Sequence, residues 1–238
     1  MSRFTWPLTV LLLLASAYGQ AMPPLSAQQQ LEANSQYGYF QTYGWDTPYS
    51  QRRPDKNGVI DLSATMLNDY AISIAAPSHP STALRSMFAY ASVVVACTAI
   101  KQQSTLTPRG SYIISDWTME VTRVFRNQSS IPIGQTITVT RTAGSVTVGN
   151  LKLVAHDGNF ADFQLQHQYV LLLVPLPNTG SFMARENASF DVTGPATIYM
   201  TDPWADYTNV LKQWTASFSG RDFTDMVTSI AANVERAQ

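Results

Sequence analysis

The chain has 238 residues, of which 45% are hydrophobic and only 13% are charged, and its formal net charge is −1. This apolar share, with almost no net charge, argues against a chain that is disordered throughout. The basic residues are scattered, and their densest cluster is Arg52, Arg53 and Lys56. Because a nucleic-acid-binding protein needs a basic patch or stripe, no nucleic-acid partner is predicted.

The N-terminus has the pattern of a secretory signal peptide. One positive charge, Arg3, precedes the apolar run Leu8 to Leu14, and small residues follow. The run is too short to span a bilayer, and cleavage is expected after Ala17 or Ala21. We therefore expect residues 1–21 to be removed and the mature protein to be secreted or periplasmic, with no transmembrane span. An uncleaved anchor is the alternative.

Residues 22–79 are predicted to be an arm or linker that is partly disordered. Within them, the stretch Gln36 to Gly58 places six aromatic residues between polar ones, without a sustained period of 2 or 3.6. It is interpreted first as an arm that packs its rings on the folded domain. The second interpretation is a mobile segment that meets a partner through Tyr39, Tyr43 and Trp45, and the third is a sugar-binding aromatic platform. A short helix is expected around Ala64 to Tyr70.

Residues 80–200 are predicted to form the β domain. A short helix capped by Ser81 or Thr82 leads into a first strand, Ser92 to Ile100, with apolar residues on both faces. Such a strand is typically covered on both sides. It contains the chain's one cysteine, Cys97, so no intrachain disulfide is possible. In this setting Cys97 is expected to pack as a buried residue rather than to act as a nucleophile.

A polar loop, Lys101 to Ser111, is predicted to join this strand to a second one that starts near Ile113. The second strand alternates apolar and polar residues, and its phase slips near Thr122. The slip predicts a bulge that bends the strand, as closure of a barrel requires.

The remaining predicted elements follow in chain order. They are a strand at 135–142, a kink at Gly144, a 146–153 hairpin with a Gly149-Asn150 turn, strands at 169–176 and 181–184, and short β pieces at 190–192 and 197–200. Residues 201–238 are predicted to form two helices whose apolar stripes pack on the barrel. The first stripe is Trp204, Tyr207, Leu211, Trp214 and Phe218, and the second is Phe223, Met226, Val227, Ile230 and Val234.

No motif in the sequence carries chemistry by itself. His156, Asp157 and His167 lie on one predicted loop and form a conceivable metal site, but solvated loop residues are the simpler interpretation. Asp116 and Glu120 share a strand face at a separation of about 13 Å, too far apart for the carboxylate pair of a glycosidase. We assign no catalytic, cofactor-binding or metal-binding residue and no cofactor.

The predicted strands carry a family resemblance. His79-Pro80, Phe88-Ala89, Ala91 to Ala96 and a second strand ending at Val121 to Arg126 are similar to the start of the netrin-like or tissue-inhibitor-of-metalloproteinase domain. The resemblance covers roughly residues 80–184 and implies an OB-type barrel. Protease inhibition in that family relies on an N-terminal cysteine and on disulfides, which this chain lacks. The first strand also resembles exported bacterial proteins of unknown function.

The sequence thus predicts a mainly β protein: an OB-like (netrin-like) β-barrel with a short preceding helix and two C-terminal helices. The first functional hypothesis is an exported, non-enzymatic domain that binds a protein or an envelope component through its barrel loops and its aromatic arm, with Tyr39, Tyr43 and Trp45 as contacts. The alternatives are a secreted hydrolase that uses the loop with His156 and His167, with or without metal, and a structural component of an assembly. The sequence does not predict the oligomeric state.

Overall fold

The computed structural model describes residues 47–63, 79–107, 110–157, 160–176, 179–200 and 206–236. Within these ranges the fold is mainly β, as predicted. The strands are β1 (Val59–Asp61), β2 (Val93–Leu106), β3 (Ile113–Asn127), β4 (Thr136–Thr142), β5 (Gly144–Val148), β6 (Leu151–Ala155), β7 (Gln168–Pro175), β8 (Phe182–Asp191) and β9 (Ile198–Tyr199). The α-helices are α1 (Pro80–Tyr90), α2 (Asp206–Thr215) and α3 (Gly220–Arg236), and a short 3-10 helix spans Tyr49–Gln51.

The strands form two sheets. The larger sheet has the order β4-β3-β2-β7-β8-β9, and the smaller one has the order β1-β6-β5. β4 also pairs in parallel with β8, with Val139 opposite Phe182 and Thr140 opposite Met183. The first and fifth strands of the larger sheet therefore lie side by side.

Three register shifts interrupt the long β2–β3 pair, and the one between Val94 and Val95 passes over Phe125 of β3. The register also shifts between Ala96 and Cys97, so that Thr122 of β3 has no partner, which confirms the predicted bulge near Thr122. The third shift passes over Ile100 of β2. Each extra residue bends its strand and increases the local twist.

The predicted loop from Lys101 to Ser111 is wrong over most of its length, because β2 continues to Leu106. These residues are polar, and the predicted boundary depended on the end of the apolar run. The backbone of β3 from Ile113 onward nevertheless pairs with them in continuous register. A strand whose side chains face water needs hydrogen-bonded neighbours rather than an apolar sequence.

The start of α1 also differs from the prediction. The N-cap residue is His79, not Ser81 or Thr82, and Pro80 occupies the first helical position. The His79 ring accepts a hydrogen bond from the backbone N–H of Ser81 at 3.2 Å. Proline is favoured at this position because its missing N–H would have had no partner within the helix.

The smaller sheet contains the predicted hairpin of β5 and β6. Its two-residue turn has Gly149 at a φ of +58°, and Gly144, at a φ of +134°, marks the predicted bend after β4. The third strand, β1, comes from within residues 22–79 and pairs in parallel with β6. The expected helix at 64–70 lies outside the described residues.

The two faces of the larger sheet pack into different cores. One face carries the inner cluster, whose buried members include Val93, Val95, Cys97, Ala99, Trp117, Met119, Ile137, Val139, Tyr169 and Leu171. The other face carries the helix cluster, in which α1, α2 and α3 meet Val94, Ala96, Val170, Leu172 and Phe190. Cys97 is buried in the inner cluster, which confirms its predicted packing role.

The C-terminal helices contribute to the helix cluster through their predicted stripes. Leu211 of α2 and Phe223 and Val227 of α3 are buried there, whereas Trp214 is partly buried against it. Trp204 and the side chains of Tyr207 and Val234 lie outside the described residues. Among the described helices, none combines the length and the apolar character needed to cross a bilayer.

Candidate functional site

The three aromatic residues predicted to contact a partner, Tyr39, Tyr43 and Trp45, lie outside the described residues. Tyr49, from the same aromatic stretch, is described. Its backbone N–H donates to the carbonyl oxygen of Gly110 at 2.8 Å, and its side chain packs against the buried cluster of Ile60, Leu62, Ile113, Leu153 and Ala155. This part of the stretch therefore packs on the connection between β2 and β3.

The residues of the conceivable metal site take separate partners. His156 lies 3.7 Å from Asp162, and both side chains are exposed. Asp157 is buried beside Arg141, with a shortest N–O distance of 3.9 Å. Among the described residues, no group of three or more His, Cys, Asp or Glu side chains is placed to hold a metal ion.

His167 is held differently from His156. Its Nδ1 lies 2.7 Å from Oδ2 of Asp191, and the two side chains are 33% and 11% exposed. The backbone N–H of Thr193 donates to the other oxygen of Asp191 at 2.9 Å, and the His167 ring stacks on Tyr169. With a carboxylate as the acceptor, Nδ1 is the protonated nitrogen of neutral His167, so Nε2 carries the lone pair.

A second set of polar residues lies on β2, β3 and β4, on the face opposite Trp117 and Met119. We call it the outer face. Its members, which alternate along each strand and lie opposite one another across the strands, are Lys101, Gln103, Asp116, Thr118, Glu120, Thr136, Thr138 and Thr140. Lys101, Gln103, Glu120 and Thr136 are exposed, and Asp116, Thr118 and Thr138 are partly buried.

The helix cluster covers other residues of the same side of the sheet. Val94 and Ala96 of β2 are buried under the helices, whereas the polar part begins beyond them along the strand. The outer face therefore combines rigid strands with exposed groups that donate and accept hydrogen bonds. Such an arrangement fixes the positions of binding groups before a ligand arrives.

Asp116 lies at one end of the outer face. The hydroxyl of Thr140 donates to Oδ1 of Asp116 at 2.6 Å, and the Ser181 hydroxyl oxygen lies 3.4 Å from that of Thr140. Thr140 and Ser181 are buried, and burial raises the pKa of Asp116 while the hydrogen bond from Thr140 opposes the rise. The carboxylate is thus partly desolvated and held in one orientation.

The sequence places Asp116 on a solvated face but gives no sign of this environment. The missing information is the pairing of β4 with β8, which brings Thr140 beside Met183 and close to Ser181. The His167–Asp191 pair is also missed, because the two residues are 24 positions apart. A contact between distant strands leaves no periodic signal in a single sequence.

No family model and no curated protein matches this chain.

Proposed function

We propose that this protein is an exported, non-enzymatic binding domain that holds a protein or an envelope component on its outer face. The observation that carries the proposal is the row of polar side chains on paired strands beside a helix-covered core. Export is supported by the signal-peptide pattern of residues 1–21.

An OB-like barrel is part of this proposal. The order β4-β3-β2-β7-β8, with β8 also beside β4, has the strand number and the return connection expected of such a barrel. In OB folds the second and third strands carry the ligand face. Counted from β2, those strands are β3 and β4, which hold most of the outer face.

The test is capture of a partner by the tagged mature protein from the envelope and secreted fractions of the source cells. Thr118→Arg with Thr138→Arg places two long side chains in the middle of the outer face, and we expect capture to fall sharply. Thr147→Arg on β5 is the matched control, because Thr147 is exposed away from this face. Equal capture by all three proteins would remove the outer face from the proposal.

A hydrolase is the second candidate, and the observation that favours it is the 2.7 Å contact between His167 and Asp191. A carboxylate that orients a histidine leaves Nε2 available as a general base. We expect His167→Ala to abolish any hydrolysis found with a panel of ester and peptide substrates. His156→Ala is the control, because His156 is exposed and contacts a different carboxylate. Equal activity of His167→Ala and the wild type would contradict this candidate. Stoichiometric zinc in the purified protein would instead support a metal-dependent hydrolase.

A further inference from the structure

The described buried and half-buried aspartates differ in how their charge is balanced. Asp191 is paired with His167, and Asp157 lies beside the guanidinium of Arg141. For Asp116 the structure gives one partner, the uncharged hydroxyl of Thr140, and no described cation lies within ion-pair distance. Charged groups that are withdrawn from water are usually paired with an opposite charge.

The hydrogen bonds around Asp116 show which of its two carboxylate oxygens already has a donor. A threonine hydroxyl has one proton, and the nearer acceptor of the Thr140 proton is Oδ1 of Asp116. Thr179 lies 2.7 Å from Ser181 and donates its own proton to the carbonyl oxygen of Leu176. The hydroxyl protons of Thr140 and Thr179 are therefore already donated to other acceptors. Oδ2 is the carboxylate oxygen of Asp116 that remains as an acceptor.

The surroundings of Asp116 on the outer face favour a positive charge. Gln103 lies opposite Asp116 on β2, and Glu120 lies two strand positions beyond Thr118. Lys101, opposite Thr118, is the one basic residue among the described members of this face. The set of Asp116, Glu120 and Lys101 carries a net charge of −1 when all three are ionised.

We infer that the partner is a protein with a basic segment, and that it places an ammonium or guanidinium group on Oδ2 of Asp116. The inference rests on the proposed function, because it names the chemistry that the outer face recognises. A cation at this position makes a charge-assisted hydrogen bond with the carboxylate and offsets its partial desolvation. The segment then runs along β3 and β4, where the hydroxyls of Thr118 and Thr138 are in reach of its backbone or side chains.

The probe is an N-acetylated, amidated hexalysine peptide, titrated into the isotope-labelled mature protein and followed by amide chemical shifts. We expect shifts at Asp116, Thr118 and Thr140, and binding that weakens as salt is added. Asp116→Asn should weaken binding by about tenfold or more, the loss expected of a charge-assisted hydrogen bond. Asp225→Asn, an exposed position on α3, is the matched control and should bind like the wild type.

Two results would overturn the inference. The first is equal binding of a peptide whose six lysines are acetylated, and the second is equal binding by Asp116→Asn.

Failure of the basic-segment inference can be told apart from failure of the proposed function. If the peptide does not bind while Thr118→Arg with Thr138→Arg still loses the captured partner, the outer face binds something other than a basic segment. Binding of neutral chitohexaose that depends on Asp116 would likewise replace the basic segment with a glycan. If neither the probes nor the double variant has any effect, both proposals fall.

Discussion

The guanidinium of Arg141 lies 3.5 Å from the centroid of the Phe160 ring. It also donates to the carbonyl oxygens of Ala161 at 2.8 Å and of Phe160 at 3.2 Å, so one buried side chain holds the segment that follows β6. The Asp157 carboxylate lies beside it. A cation over an aromatic ring is stabilised further when both are withdrawn from water.

Replacing Arg141 by Met keeps much of its volume and removes its charge and its donors. We expect the free energy of unfolding to fall by about 3–5 kcal/mol, because the substitution leaves the buried Asp157 without this neighbouring cation. Urea unfolding measures the change. Arg221→Met is the control at an exposed position of α3, and a similar small loss in both variants would show that Arg141 is not an anchor.

Asp116 predicts a particular pH dependence of stability. Its pKa is raised in the folded protein, so the folded state holds this proton more tightly than the unfolded state. The contribution of Asp116 to stability is therefore fully present below its unfolded pKa of about 3.9, and it is lost as the pH rises through the higher folded value. The asparagine in Asp116→Asn does not titrate, so the variant lacks this pH-dependent contribution to stability.

The measurement is the free energy of unfolding of the wild type and Asp116→Asn from acid to neutral pH. We expect the variant to gain relative to the wild type as the pH rises, and to be equal or more stable at pH 7. Thr140 still has an oxygen acceptor in the asparagine variant, so its hydrogen bond is retained. Parallel pH profiles for the two proteins would contradict the raised pKa.

The sequence predicts local features of this fold, but it does not predict contacts between distant strands. The bulge at Thr122 and the bend at Gly144 each follow from a local signal, a phase slip or a glycine. The environment of Asp116 depends on β8, more than 60 positions away in the chain, because Ser181 and Met183 meet Thr140 only after the larger sheet has formed. Alternation predicts which face a residue occupies, but not which distant strand lies beside it.

The polar half of β2 illustrates the same limit for the fold. Residues from Lys101 to Leu106 have no apolar pattern, and only their pairing with β3 makes them a strand. That extension carries Lys101 and Gln103 to positions opposite Thr118 and Asp116, and so adds a third strand to the outer face. Because the predicted first strand ends at Ile100, the prediction also leaves Lys101 and Gln103 out of the candidate site.

Gly144 should tolerate no side chain. A Cβ at this position would meet the side-chain oxygens of Ser115 and Ser104, and the φ of +134° is strained for any L-residue with a side chain. We expect Gly144→Ala to lower the free energy of unfolding by more than about 2 kcal/mol. Gly149→Ala is the control, because a φ of +58° lies in the left-handed helical region, which alanine enters at a cost of about 1–2 kcal/mol, and the space around its Cβ is open. Equal losses would mean that neither the serine contacts nor the φ of +134° adds to this cost.

Cys97 should be unreactive in the folded protein. Its side chain is buried in the inner cluster, and burial raises the pKa of the thiol, so little thiolate forms. We expect an aromatic disulfide reagent at pH 8 to label Cys97 only after denaturant is added. Rapid labelling of the native protein would contradict this. Cys97→Ser should be less stable than Cys97→Ala, because a buried hydroxyl without a partner costs about 1–3 kcal/mol.

The aromatic segment before Tyr49 makes the last prediction, which concerns binding rather than stability. Tyr49 itself donates its backbone N–H to Gly110 and packs against the cluster that includes Ile113, so Tyr49 lies next to the β2–β3 connection. A segment tethered there can reach the same partner as the outer face, at a high effective concentration. We expect joint replacement of Tyr39, Tyr43 and Trp45 by Ala to weaken capture of that partner without changing the unfolding midpoint. Capture equal to that of the wild type would remove these three residues from the binding surface, while the Thr118→Arg and Thr138→Arg result would still decide the role of the outer face.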